Sequence, residues 1–238
     1  MVITELAKGG AVLSQKARKL GDFDREFVLR AAKEAYELGQ APFEFGPKGT
    51  ALIIVDMLEE FVRPNYTPYW IPAATEAVPK IKELIKVCRA KNVPVIYTAY
   101  HFHEDGIDLP RGAQYIPIYQ GDIELAGQIF NKPSVYSEIA PEPKDMVILK
   151  PTYDAFFGTK LDLVLRNMGI GTVIICGTMT NYCCAATAKS AFMLGYNVVF
   201  GSDINATDFP EMQEAELKTL RRGFAKIMTA DEIMAKLR

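Results

Sequence analysis

Val173-Ile174-Ile175-Cys176-Gly177-Thr178-Met179-Thr180-Asn181-Tyr182-Cys183-Cys184 is the stretch from which the fold of this chain can be read. It opens as a continuous β-branched run, the pattern of a strand buried on both faces. Gly177 and the small polar residues after it break the run. Residues 182–194, rich in Ala and Met, then resume with helical period. A buried strand turning into a helix is the repeating unit of a parallel sheet. A cysteine in the first turn of such a helix faces orphan backbone N–H groups and the positive end of the helix dipole, and both favour thiolate over thiol. The alternative for Cys183 and Cys184 is that they are small buried apolar side chains.

The same alternation extends in both directions. Residues 51–55, 94–99, 147–149, 197–200 and 225–228 have the composition of buried strands, and Asp56 and Lys150 stand where two of them end. Helical period marks residues 73–91, whose inner face is Val78, Ile81, Leu84, Ile85 and Val87, and also residues 161–168 and 211–222. A last helix follows Thr229, with Glu232 three residues later as a capping box. The expected fold is α/β: an open, mostly parallel six-stranded sheet with helices on both faces, a Rossmann-like three-layer sandwich. Residues 1–47 differ from the rest, as a helical arm over 22–38 followed by a Pro-rich connector, and 48–238 form the main domain. The arm is too short to own a core, so it packs on the main domain or on another subunit, which favours a homo-oligomer, a dimer or tetramer. Residues 101–146 make a long irregular stretch, either a lid over a pocket or an oligomer contact.

Bulk composition excludes several functions. Across 238 residues the net charge is −2, with 49% hydrophobic and 24% charged residues, so no basic footprint for nucleic acid or a membrane surface is present. No run reaches the roughly 18 apolar residues of a membrane span, and the N-terminus lacks a charged-then-apolar leader pattern. Four cysteines, two of them adjacent and none in a CxxC, make neither a zinc site nor a disulfide framework. A reducing cytoplasm is the expected compartment.

Three chemically loaded residues fall at strand ends, where open parallel sheets bind ligands: Asp56, Lys150 and Cys183. Each alone has a plain reading as surface or core. Together they complement one another, because a thiol needs an adjacent base to become a nucleophile at neutral pH. Asp56 can take the proton, and Lys150 keeps the aspartate ionised while favouring thiolate. Without the lysine, the aspartate's charge would oppose the thiolate.

The motifs Val55-Asp56-Met57-Leu58-Glu59-Glu60-Phe61, Lys150-Pro151-Thr152-Tyr153-Asp154-Ala155-Phe156-Phe157-Gly158-Thr159 and Gly177 through Ala188 resemble the isochorismatase-like cysteine hydrolases. So does Gly195-Tyr196-Asn197-Val198-Val199 with Ser202-Asp203. The resemblance spans about residues 48–238 and is strongest to the N-carbamoylsarcosine amidase and ureidoacrylate amidohydrolase branch. It implies an Asp56–Lys150–Cys183 triad, with Cys183 rather than Cys184 as nucleophile, three residues after Thr180 and four before Thr187. It also implies a non-proline cis peptide at Thr178–Met179 and an oxyanion hole from the backbone N–H groups of Met179 and Cys183. The implied activity is cysteine-dependent hydrolysis of a small carbamoyl, ureido or amide substrate with release of ammonia, without cofactor or metal.

Departures narrow the reading. Leu58 and Glu59 stand where the family usually has Gln or Asn. The zinc-binding nicotinamidase branch uses an Asp-x-His pattern plus a further histidine, whereas this chain has only His101 and His103, two apart in one segment. Dedicated isochorismate cleavers lack the cysteine. Phe61, Tyr153, Phe157 and Tyr182 are the expected substrate-facing walls, each with ordinary core packing as its alternative. Trp70, in a Pro-rich loop, could cover the site or an interface. No arginine adjoins the motifs, and Arg63, Arg111 and Arg222 reach a substrate carboxylate only by loop fold-back or from a neighbouring subunit. With Glu59, Glu60 and Asp154 nearby, a neutral or amine-bearing substrate is favoured. The rival functions are a nicotinamidase-type amidase, a catalytically silent binding or structural subunit and, last, a redox protein using Cys183 and Cys184.

Overall fold

The computed structural model describes residues 19–103, 105–112 and 123–238. Six strands run in the order β3-β2-β1-β4-β5-β6: β1 (Thr50–Val55), β2 (Val95–Tyr100), β3 (Met146–Lys150), β4 (Thr172–Thr178), β5 (Asn197–Ala206) and β6 (Lys226–Met228). Every pairing is parallel, so the sheet is wholly rather than mostly parallel. Eight α-helices lie among the described residues: α1 (Arg25–Leu38), α2 (Glu59–Val62), α3 (Pro72–Ala90), α4 (Ile123–Phe130), α5 (Leu161–Asn167), α6 (Ala185–Met193), α7 (Pro210–Gly223) and α8 (Ala230–Leu237).

Period-two alternation divides β1 between two cores. Leu52 and Ile54 pack with Val78, Ile81 and Leu84 of α3 and Ile233 of α8. Ala51, Ile53 and Val55 pack with Leu161 and Leu165 of α5 and Ala185 and Ala188 of α6. Both faces of the strand are therefore dry, which is why it has no polar residue after Thr50, whose hydroxyl donates to the Gly46 carbonyl at 2.6 Å. Each such Leu, Ile or Val contributes about 1.5–3 kcal/mol by leaving water. The expected capping box closes α8: Glu232 N–H donates to Thr229 Oγ1 at 3.3 Å, and Thr229 N–H to Glu232 Oε2 at 2.8 Å.

The elements differ from the sequence reading in several places, including a short unexpected helix α2 and a helix α6 that starts only at Ala185. Lys150 is the last residue of β3 rather than a residue beyond it, and Tyr100 pairs with it in register. β5 continues to Ala206 past a register shift between Ile175 and Gly177, where Asn205 donates to the Ile175 and Gly201 carbonyls and so mends the interrupted ladder. The stretch 101–146 is only partly irregular, since it holds α4 and a 3₁₀ turn at Ser137–Ile139; residues 104 and 113–122 lie outside the described residues.

The arm helix α1 begins at the cap Asp24, whose side chain accepts from Phe27 N–H at 2.7 Å. None of its residues is buried. It lies along α7, where the Arg222 guanidinium stacks over Tyr36 at 4.8 Å, and the connector is tied to α8 by Lys236–Glu44 at 2.7 Å. Residues 1–18 of the expected arm lie outside the described residues. Among those described, no helix is long and apolar enough to cross a membrane.

Candidate active site

The carboxyl ends of β1, β3 and β4 converge on one site. At the end of β1 the chain enters the left-handed region, with Asp56 at φ 49°, a conformation that costs a non-glycine residue energy and clusters at functional sites. Asp56 is 0% exposed and is held from three sides. Its N–H donates to Thr98 O at 3.2 Å, Thr98 Oγ1 donates to its Oδ1 at 2.9 Å, and Thr178 Oγ1 donates to its carbonyl at 3.0 Å.

Lys150 is also 0% exposed, and its Nζ lies 2.6 Å from Asp56 Oδ2. Two buried charges survive only when paired and hydrogen-bonded. Here the ammonium also donates to Thr152 O at 2.8 Å and sits over the Tyr100 ring at 5.2 Å. Burial pulls the Lys150 pKa down, but the Asp56 carboxylate beside it outweighs burial and raises it to about 12. The lysine is therefore cationic at every working pH.

Cys183 lies in the five-residue π-helical turn Thr180–Cys184 that precedes α6, and its thiol is within hydrogen-bonding reach of both Asp56 and Lys150. Such turns are rare and recur at functional sites. The electrostatics differ from the first-turn expectation. Burial, reinforced by the Asp56 charge, pushes the Cys183 thiol up to about 12 against the opposing pull of Lys150. Loss of water around the sulfur outweighs the cation, so the resting group is a thiol. Cys184 is fully buried among Ala185, Ala188 and Phe200 and is raised further by burial. The Thr178–Met179 peptide bond is cis.

Gly177 permits this junction. Its φ is +129°, and a Cβ there would stand 2.0 Å from the Val55 carbonyl oxygen, so only glycine lets β4 approach β1 as Asp56 begins.

Tyr153 and Tyr182 flank the site, their rings 5.4 Å apart, and the Tyr153 hydroxyl is raised by burial and then by the neighbouring Cys183. Phe61 joins an aromatic cluster, 5.5 Å from Phe130, which reaches Lys150 through Tyr100. Phe157 is 66% exposed, whereas Phe156 stacks on Tyr196 at 5.8 Å. Arg63 is stacked over Tyr66 at 5.0 Å and Arg222 over Tyr36 of the arm. Trp70 donates to Thr75 Oγ1 at 2.9 Å, at the start of α3. His101 N–H extends the sheet by donating to Lys150 O at 3.0 Å, while the exposed His103 ring takes the Asp105 N–H at 3.2 Å.

Sequence reasoning missed the residues that hold these groups. Thr98 is a lone hydroxyl in an apolar strand, which was a readable signal. Asp154 and Thr187 stand in the quoted motifs, but nothing there shows that they tie two segments together. Thr187 Oγ1 accepts the Ala155 N–H at 3.0 Å, and Asp154 takes the Ser190 hydroxyl at 2.6 Å, pinning the segment after Lys150 onto α6.

Comparison with known proteins agrees with this architecture. The pattern of the isochorismatase domain family matches residues 50–232. Nicotinamidase 3 of Arabidopsis thaliana is 32% identical over 192 residues, 80% of this chain and 89% of that protein. A ureidoacrylate amidohydrolase of Azorhizobium caulinodans is 28% identical over 204 residues, 79% of this chain and 90% of its own length. The crystal structure of a cysteine hydrolase from Pseudomonas syringae pv. phaseolicola superposes with a TM-score of 0.75 at 29% identity, covering 84% of this chain and 97% of the other.

Proposed function

We propose, from the premise that this chain belongs to the isochorismatase family and is a hydrolase, that it is a cysteine-dependent amidohydrolase acting on a small carbamoyl, ureido or amide substrate. Asp56 takes the Cys183 proton as the sulfur attacks the carbonyl carbon. The oxyanion is received by the Met179 and Cys183 N–H groups, a kind of assistance that removal of one donor shows to be worth about 3–4 kcal/mol. Asp56 then returns the proton to the departing nitrogen, ammonia leaves, and water cleaves the thioester. Lys150 stays charged throughout and stabilises first the thiolate and then the carboxylate. A base placed in this way contributes typically about 10²–10⁴-fold.

The observation that supports this reading is the buried Asp56–Lys150 pair at 2.6 Å beside the Cys183 thiol. A purely structural subunit would have no need to bury a base and a cation beside a half-buried thiol at a strand-end junction. Tyr153 and Tyr182 are proposed as apolar walls, with Phe61 behind them and Phe157 at the mouth. Among the described residues no arginine stands beside the three groups, which favours a neutral or amine-bearing substrate over a carboxylate.

The test is ammonia release across carbamoyl amino acids, ureidoacrylate, biuret, maleamate and nicotinamide, with wild type, Cys183→Ala and Cys184→Ala. Turnover of at least one compound, lost with Cys183→Ala and largely kept with Cys184→Ala, is expected. Loss with Cys184→Ala alone would move the nucleophile by one residue. Activity on nicotinamide alone, and only with metal, would move the protein to the nicotinamidase branch.

A further inference from the structure

The turn that carries Cys183 differs from an ordinary helix start by one hydrogen-bond step, and that step decides what its backbone can donate. In an α turn each N–H donates four residues back, so the Cys183 N–H would end on the Met179 carbonyl. Here that carbonyl takes the N–H groups of Tyr182 and Cys184 instead, both at 3.1 Å. The Ala185 N–H closes the next ring onto the Thr180 carbonyl, again five residues back. The π register thus spares the Cys183 N–H from the bond that an α turn would give it.

A π turn is the rarer arrangement, so something must hold it against the α alternative. Downstream, α6 is fastened to the segment after Lys150, through Thr187 to the Ala155 N–H at 3.0 Å and through Ser190 to Asp154 at 2.6 Å. A slip to the α register is therefore taken up upstream, where Thr180 and Asn181 would rotate by about 100° around the helix axis. Asn181 is the residue tied there. Thr207, the first residue past β5 and 5% exposed, donates its hydroxyl to Asn181 Oδ1 at 2.6 Å. Thr207 cannot follow such a rotation, because its neighbour Ala206 is paired in register with Thr178 of β4. Apart from the contacts of the Cys183 thiol with Asp56 and Lys150, this is the one side-chain hydrogen bond to the turn among the described residues.

We infer that Thr207 is a positioning residue, whose bond to Asn181 holds the turn in the π register and so keeps the Cys183 N–H available to the substrate oxyanion. Thr207 touches no reacting atom and acts only through Asn181. Its catalytic consequence rests on the cysteine-hydrolase function proposed for the site. The register itself belongs to the folded chain and is measurable without a substrate.

Hydrogen exchange at the Cys183 amide, followed by NMR on the intact chain, reads the register directly. In Thr207→Val, which keeps the shape and removes the donor, this amide gains the Met179 bond and is expected to exchange about tenfold or more slowly than in wild type. Turnover should fall by at least about tenfold, towards the roughly 10²–10³ that loss of one oxyanion donor costs, with KM kept within about threefold. Thr207→Ser keeps the hydroxyl and should restore both. If Thr207→Val does not fold, Asn181→Ala removes the acceptor and carries the same comparison. A folded variant whose Cys183 amide exchanges at the wild-type rate, or faster along with the rest of the turn, would overturn the inference. Slowed exchange in a chain that turns over none of the amides would uphold the register and overturn the hydrolytic reading instead.

Discussion

At Cys183 two physical effects oppose each other and desolvation wins. The helix start and Lys150 favour thiolate, yet burial and the Asp56 charge hold the proton on sulfur. Removing the aspartate charge should therefore lower the thiol pKa while removing the proposed base. Asp56→Asn is expected to alkylate faster with iodoacetamide near pH 8, by about tenfold for each unit the pKa falls, yet to lose turnover. A variant slowed in both would show that base assistance by Asp56 outweighs the effect of its charge on the thiol. Glu60 offers a second test of burial. It is 5% exposed, its Oε2 has no partner among the described residues, and desolvation raises its pKa from 4.5 to about 7. The folded chain thus holds this proton more tightly than the unfolded chain. Stability from this group is fully present below pH 4.5 and falls as pH rises through 7. Glu60→Gln should be more stable than wild type at pH 8, by about 1–2 kcal/mol after allowing for solvent screening. The difference should vanish near pH 4 in urea denaturation. An equal gain at both pH values would refute the assignment.

At the scale of the element, the junction of β4 with α6 concentrates constraint in few residues. Gly177 is the strictest, since a methyl group there meets backbone rather than a side chain that could move aside. Gly177→Ala should cost about 2–4 kcal/mol and reduce turnover beyond what the lost stability explains, because the shift falls between Val55 and Cys183. A variant of normal stability and activity would show that the junction tolerates slack. Much of this element was legible in the residues: the β-branched run of 173–176 is a buried strand, and Asp56, Lys150 and Cys183 do stand at strand ends that meet. The parts that were not legible depend on long-range geometry. Nothing local separates a π turn from an α turn over Thr180–Cys184, because the extra residue is accommodated by packing against β4 and β5. The continuation of β5 to Ala206 depends on amide donors, Asn205 and Gln213, that reach across a bulge. The sign of the Cys183 shift depends on how much water the folded site excludes, which motif spacing does not encode.

At the scale of the whole molecule, α1 is the element least accounted for by a single chain. Burial of an apolar face is what normally holds a helix of this length, yet Val28, Leu29 and Leu38 remain more than half exposed. A second exposed surface lies at the sheet edge, where β3 shows Val147 and Leu149. Unpaired, apolar edge strands tend to associate unless covered. The homo-oligomer proposed here would cover one of these surfaces, and the arm is the stronger choice because its helix otherwise has little to hold it. Val28→Glu with Leu29→Glu should therefore reduce the sedimenting mass to that of one chain. The melting temperature of that single chain should change little, since both side chains already face solvent within it. If the mass is unchanged by the α1 pair but falls with Val147→Lys and Leu149→Lys, the edge of the sheet is the interface. Wild type sedimenting at 26.5 kDa would refute both.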